Sequence, residues 1–372
     1  MNKKFFLLAI CLLPVLLFSV TRYVPAQYAT IQLAINASSN GDIILVSSGT
    51  YGPISLGNKG LTIQGIQFSN VIIDGNETQR CVTLSQYSAS PTYLRNMTIT
   101  DGYAYSKGGG IYSPNERELN IEQCVIQNCT VLYDVNYGGG GIYCNGALEL
   151  TECEINNCST SAGSGGGIYM NSGSLSIEST EITYCESYLA GGGIFLIGSS
   201  TIGMVDCLVD HCTSGSGGGI MVQTYCDDIG DCKIYDTDFS YNSASYGGAV
   251  SLSQCSTDIR NSKFNNNTSV DGSALLLSSQ LNPPLLNILI YISGSLFSSN
   301  VSDYSTIKIS FAESNYLDQF KMNNSTLCNN DGGAYPGITF YTTIPSDASI
   351  SHSIIRDLSI STYCDYDYCC LW

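Results

Sequence analysis

Between Ser164 and Ser187 the chain reads SGGGIYMNSGSLSIESTEITYCES, and its apolar positions alternate with polar ones. Ile168 and Met170 share a face, as do Leu175 and Ile177, while Ser174, Ser176 and Glu178 point the other way. A period of two predicts short strands rather than helix. Asn171-Ser172-Gly173 and Ser179-Thr180 carry turn chemistry, and Ile182 opens a third short strand.

The pattern repeats. GGGIY recurs at 108–112, 139–143 and 165–169, followed by GGGIF at 191–195 and GGGIM at 217–221, then weakens to GGAVS at 247–251 and GSALL at 272–276. The apolar residue after each cluster (Ile111, Ile142, Ile168, Ile194, Ile220, Val250, Leu275) advances by 31, 26, 26, 26, 30 and 25 positions. A second marker keeps the same beat: an apolar residue followed three positions later by Cys or Asn. It falls at Ile126/Cys129, Ile155/Cys158, Ile182/Cys185, Val209/Cys212, Phe239/Asn242, Phe264/Asn267, Phe297/Asn300 and Leu327/Asn330. Three short strands in about 26 residues describe one turn of a parallel β-solenoid. One turn alone cannot bury its apolar face; stacking closes the core. The glycine clusters precede strands and lack GK[ST], so they mark a corner and not a phosphate loop.

The ends differ from the middle. MNKKFFLLAICLLPVLLFSV has two lysines before an apolar run, the layout of a secretory signal peptide over residues 1–20, with cleavage expected between Ser19 and Ala26. Residues 21–60 are expected to form a cap and first strand. Thr30 caps a short helix whose Ile31, Ala34 and Ile35 share one face and cover the end of the core. Residues 61–360 carry the repeats; from Tyr28 to about Ile360 a period near 27 gives roughly 12 turns. STYCDYDYCCLW, 361–372, is a Cys-rich tail with no recognisable cap.

Composition narrows the function. The net charge is -17, and the leader contributes two lysines and no acid, so the mature chain is more acidic still. Such a surface repels phosphate backbones and excludes nucleic acid as a partner. Charged residues are only 12% of the chain, against about 25% in ordinary domains. No segment after the leader is apolar for long enough to span a membrane. The expected location is therefore secreted or on the outer cell surface.

The glycine-cluster unit resembles the repeat of right-handed parallel β-helix proteins. These include the polymorphic outer membrane protein repeats and the wider pectin-lyase-like superfamily. RYVPAQYATIQLAINASSNGDIILVSSGTYG, Arg22 to Gly52, is similar to the start of many exported bacterial members. The resemblance spans roughly Arg22 to Asp357. It implies an all-β, right-handed parallel β-helix with an amino-terminal capping helix. It does not choose an activity, because that superfamily holds lyases, hydrolases, adhesins and proteins of unknown role.

Register converts positions into columns about 4.8 Å apart. Cys124, Cys153, Thr180 and Cys207 form one column, and Cys129, Cys158, Cys185 and Cys212 another, continued by Asn242, Asn267, Asn300 and Asn330. The cysteines read as buried small residues or disulfides; Cys226 and Cys232, flanking an insertion, are the best candidate pair. Tyr112, Tyr143, Tyr169 and Phe195 follow the inward isoleucine and should face out. They are the candidate sugar platform, set against simple ring-on-ring support of the sheet. Glu152, Asp206 and Asp236 form one acidic column, and Glu154, Glu181 and Asp238 another. The inserted YCDDIGDCKIYDTD holds Asp227, Asp228 and Asp231 as candidate calcium ligands. With Lys233 they resemble the calcium-plus-base arrangement of polysaccharide lyases, in which a lysine or arginine takes the proton beside a uronate carboxylate. The polygalacturonase-like NTD, GHG and RIK motifs are missing, and His211 and His352 are read as incidental turn and strand residues.

Three readings remain open on sequence. The leading one is an adhesin-like scaffold binding polysaccharide or neighbouring-cell glycans, with no catalytic constellation and no required cofactor. The second is a calcium-dependent lyase or hydrolase acting on acidic polysaccharide. The third is a structural component of the cell envelope.

Overall fold

The period of the glycine clusters is the period of the fold. Ile111, Ile142, Ile168, Ile194, Ile220, Val250, Leu275, Ile307 and Ile338 are partners in unbroken parallel register, and all are fully buried. The structure is a computed structural model that describes residues 19–66, 71–133, 135–198, 200–224, 230–278, 288–311, 319–331, 333, 337–342, 347–355, 365–367 and 370–371. The chain winds as a right-handed parallel β-helix of about 10 turns, with one helix among the described residues. Sequence arithmetic gave roughly 12. The first and last segments fill only part of a circuit; Thr21–Val24, for instance, pairs only with Ile43–Val46.

The amino end is closed as its sequence implies. The helix Ile31–Ala37 starts at Thr30, whose Oγ1 accepts from the Leu33 amide at 3.2 Å. It buries Ile31, Ala34 and Ile35 against the first turns. Arg117 locks the next turns together from inside. Its guanidinium donates to the carbonyls of Gly57, Lys59 and Gln86 and to Thr92 Oγ1, at 2.6–2.9 Å. At the far end the stack reaches the tail, where Asp365–Asp367 pairs with Ser349–Ser351 and Cys370–Leu371 with Ile354–Ile355.

Among the described residues eight turns, from that of Tyr103–Ala104 to that of Val301–Ser302, hold a fourth strand beyond the three expected. Around 168–187 the four are the two halves of the bent strand Ile168–Glu178, then Glu181–Thr183, then Glu186–Ser187. The fourth strands join a separate 8-stranded sheet among the described residues. Two-residue strands carry no alternation, so the polar pattern conceals them.

Between strands the backbone must bend while adjacent turns stay one strand spacing apart. It does so through left-handed corners. Gln123, Glu152, Ser179, Asp206, Asp236 and Asn261 hold one corner, with φ between 48° and 55°. Asn128, Asn157, Tyr184, His211, Tyr241 and Asn266 hold the next, with φ between 51° and 56°. Glycine holds the third. A Cβ on Gly165 (φ 68°) would lie 2.3 Å from the Ile168 carbonyl oxygen, and one on Gly166 would lie 2.4 Å from the carbonyls of both Glu186 and Gly192. The first glycine supplies the positive φ and the second supplies room for the neighbouring turns.

The interior changes character halfway along. In the amino half the third strands carry Ile155, Ile182 and Val209 with the thiol column below them. From turn to turn the same positions become Phe239, Phe264 and Phe297, stacked at 4.9 and 4.8 Å with nearly parallel rings. The thiols give way to an asparagine ladder at the same step. Asn267 Nδ2 donates to Asn300 Oδ1 and to the Phe239 carbonyl, both at 3.0 Å, while its Oδ1 accepts from the Asn242 amide and Nδ2. The described side chains from Cys81 to Cys328 are free thiols. Cys226 lies outside the described residues, so the proposed pairing rests on Cys232, which is buried and shares a hydrogen bond with Cys255 in the next turn. Burial pushes Cys144 up to about 12 and Cys153 up to about 11, and drives Cys158 and Cys212 well above the ordinary thiol range.

Two outcomes are expected. Asn267→Ala strands a buried carbonyl and a buried amide, so it should lower stability by about 2–4 kcal/mol in urea unfolding. Asn267→Cys, which copies the amino-half solution, should cost less; equal losses would deny the ladder its role. At pH 9, where an ordinary thiol is half ionised, Cys144, Cys158 and Cys212 should stay unreactive to a disulfide reagent until the chain is unfolded. Fast reaction of these thiols in native protein would show that the interior opens.

Candidate functional site

The aromatic column assembles as its register implies, but it is not a platform. Tyr112, Tyr143, Tyr169 and Phe195 stand in successive turns, with centroids 5.6, 5.3 and 5.1 Å apart. Tyr143, Tyr169 and Phe195 are only 3%, 2% and 5% exposed. They form a small second core beneath the loops that precede the glycine corners, with Tyr137, Ala190, Ile197 and Met221 packed against it. Tyr137 packs edge-on against Tyr143 and Tyr169, Lys107 Nζ lies 3.4 Å from the Tyr137 ring centre, and Tyr169 donates to the Asn136 carbonyl. The expectation that these rings face solvent is therefore corrected. They point away from the main core, and the loop carrying Asn136 and Tyr137 packs over Tyr143 and Tyr169.

Of the acidic insertion, Asp227 and Asp228 lie outside the described residues. Asp231 and Lys233 stand on the strand Gly230–Tyr235 and pair with each other at 2.5 Å, both about half exposed. The hydrogen bond and charge of Asp231 push the Lys233 ammonium above its ordinary pKa. A lysine that removes a proton needs the opposite shift. Among the described residues no group of three or more His, Cys, Asp or Glu side chains is placed to hold a metal ion.

A different face of the helix gathers the chemistry. The third strands Glu181–Thr183, Leu208–Asp210 and Asp238–Ser240 turn Ile182, Val209 and Phe239 inward and their alternate residues outward. At one border of this face lies a groove of about 460 Å³ whose lining includes Ser179, Glu181, Asp206, Asp236, Asp238 and Lys263. The two acidic columns read from sequence meet here: Glu154, Glu181, Leu208, Asp238 and Lys263 are register partners, and Asp206 and Asp236 sit at the adjoining left-handed corner. Lys263 Nζ reaches Asp238 at 3.0 Å, and Ser179 Oγ donates to Asp206 at 3.3 Å.

The opposite border carries Tyr184, His211 and Tyr241. Their rings stack at 4.9 Å with interplanar angles of 21° and 18°. Tyr184 and Tyr241 remain 56% and 53% exposed. Asp210 orients the imidazole: its Oδ2 lies 2.5 Å from His211 Nδ1, and its Oδ1 accepts from Ser240 Oγ at 2.6 Å. The His211 side chain itself stays 43% exposed. Of the neighbouring turns, four place asparagine at the same corner (Asn128, Asn157, Asn266 and Asn329) and one places Ser299; asparagine is among the residue types that tolerate a left-handed backbone best. A ring there costs about 1–3 kcal/mol of backbone strain. Each ring pair returns about 0.5–1.5 kcal/mol. Stacking at most offsets the strain, so stability alone gives no reason for three exposed rings in consecutive turns. From the sequence His211 reads as an incidental turn residue, and nothing singles out Tyr184 or Tyr241. The available signal was their common place immediately before Cys185, Cys212 and Asn242.

Among the described residues no helix is long and apolar enough to cross a membrane. No protein-family model matches the chain, and no curated protein matches it. Several solved structures resemble the chain at low identity. The catalytic unit of a thermostable GH87 alpha-1,3-glucanase from Streptomyces thermodiastaticus is 10% identical, covering 90% of this chain and 67% of its own, with a TM-score of 0.44. A PL6 family polysaccharide lyase from Pseudopedobacter saltans is 10% identical over 95% and 92%, with a TM-score of 0.35. The pectin methylesterase of Aspergillus niger is 13% identical over 95% and 85%, with a TM-score of 0.28.

Proposed function

We propose that the protein is an exported, surface-displayed glycan-binding scaffold, and that the face bounded by the acidic groove and the Tyr184–His211–Tyr241 ladder is its binding surface. The strained, exposed ladder is the observation that carries this reading. Sugars offer C–H surface and hydroxyls together, and the exposed ladder offers aromatic carbon beside phenol and imidazole groups. The carboxylates Glu181, Asp206, Asp236 and Asp238 supply hydrogen-bond acceptors along the groove. Against one lysine they also repel carboxylated polymers. The favoured ligand is accordingly a neutral or amine-bearing polysaccharide.

One observation supports a hydrolytic reading of the same groove. Asp206 and Asp236 occupy equivalent corners of adjacent turns, their backbones one strand spacing apart (about 4.8 Å), and both line the groove. Glycoside hydrolysis uses two carboxyl groups flanking the bond.

A glycan array read for retention, with product detection on the same samples, separates the two. A binder retains sugar without turnover, and Tyr184→Asn with Tyr241→Asn should weaken retention at least about tenfold while the melting temperature is kept or raised, because asparagine suits that corner. A hydrolase releases reducing ends, and Asp206→Asn or Asp236→Asn should abolish the release. Full retention in the double asparagine variant would remove the ladder from the site.

A further inference from the structure

A second cleft lies where the capping helix meets the loops of the first turns. Its volume is about 570 Å³, and Gln79, Arg80, Thr83, Tyr103, Tyr105 and Ser106 contribute to its walls. In a chain of net charge -17, neither Asp nor Glu lines it. Its cation is Arg80. The guanidinium is held in place by donating Nε to the Gly108 carbonyl and Nη2 to the Lys107 carbonyl, both at 2.6 Å, and it lies 4.5 Å over the Tyr112 ring. Arg22, Arg95 and Arg260 each grip a carboxylate, whereas Arg80, like the fully buried Arg117, has no ion-pair partner among the described residues; unlike Arg117, it lines an open cleft. Only Nη1 is left without a hydrogen bond there. The aromatic wall is fixed too. Tyr105 is 70% exposed, yet Tyr103 braces it edge-on at 5.5 Å and Tyr133 stacks behind it at 6.1 Å.

A positioned guanidinium without a counter-ion, beside braced rings and the hydroxyl-bearing Thr83 and Ser106, is built for a ligand with one anionic group on an otherwise hydroxylated ring. We propose that this cleft binds a saccharide ring carrying an anionic substituent, a carboxylate or a sulfate ester, with the anion on Arg80 and the ring against Tyr103 and Tyr105. This site is separate from the acidic groove and has the opposite charge preference, so either can fail without the other.

Calorimetric titration of the full-length protein with glucuronate, glucose 6-sulfate and glucose tests it. At least one of the two anionic sugars should bind about tenfold or more tightly than glucose, and added salt should narrow the gap. Binding by glucuronate alone assigns the carboxylate, and by glucose 6-sulfate alone the sulfate ester. Tyr105→Ala, at an exposed position, should weaken anionic binding at least about threefold. Arg80→Gln should erase the preference for anions; because Arg80 also ties two carbonyls, its melting curve is recorded alongside, and Tyr105→Ala decides if that variant unfolds. Equal affinity for all three sugars, no binding of either anion, or anionic binding untouched by Tyr105→Ala would overturn the proposal.

Discussion

The whole molecule depends on one close approach: the backbone of each turn lies a single strand spacing above the turn before it. Parallel register satisfies the backbone of one turn with the next, and it leaves little room at the corners. Where Gly166 passes between Glu186 and Gly192, even a methyl group is excluded. Where the chain bends at Asp206 or His211, the backbone is forced into the left-handed region. The core, the side-chain columns and the candidate site all follow from that spacing, because any residue type repeated at one position stacks along the axis.

The same constraint produces opposite results inside and outside. Inside, the column below the third strands must be small or self-satisfying, so thiols serve in one half and asparagines, bonded amide to amide, in the other. Outside, a column is free to carry strain if something else repays it. Tyr184, His211 and Tyr241 break the preference for asparagine in three adjacent turns, beside the groove where four carboxylates gather. At the amino end the charge pattern reverses around Arg80, so one acidic protein offers two surfaces of different electrostatic character.

Much of this was legible in the sequence, and the gaps have physical causes. The spacing of Ile111, Ile142 and Ile168 gave the stack, because inward positions tolerate so few residue types. Thr30 and the helix it caps were readable from local rules alone. The acidic columns were also readable, since Glu154, Glu181 and Asp238 keep register with buried neighbours. Exposure was not readable: Tyr143 and Tyr169 point outward by alternation, but a loop from another part of the turn covers them, and alternation says nothing about loops. The ladder escaped for a different reason. Its corner accepts Asn, Tyr and His alike, so no single residue type marks it, and only the position before Cys185, Cys212 and Asn242 does. Arg80 was invisible because its meaning lies in which charges are absent around it.

Repetition also sets how such a surface can change. A shift of one residue within a strand would exchange inside for outside, so length can vary only by whole turns or within the loops ahead of the glycine corners. Duplicating the 26-residue unit that carries His211 would add one ring to the ladder and one more carboxylate row, with the core extended to match. The contact area is therefore counted in integers. A lineage of such chains would tune its hold on a long polymer as one lengthens a zipper, tooth by tooth, with no redesign of any tooth.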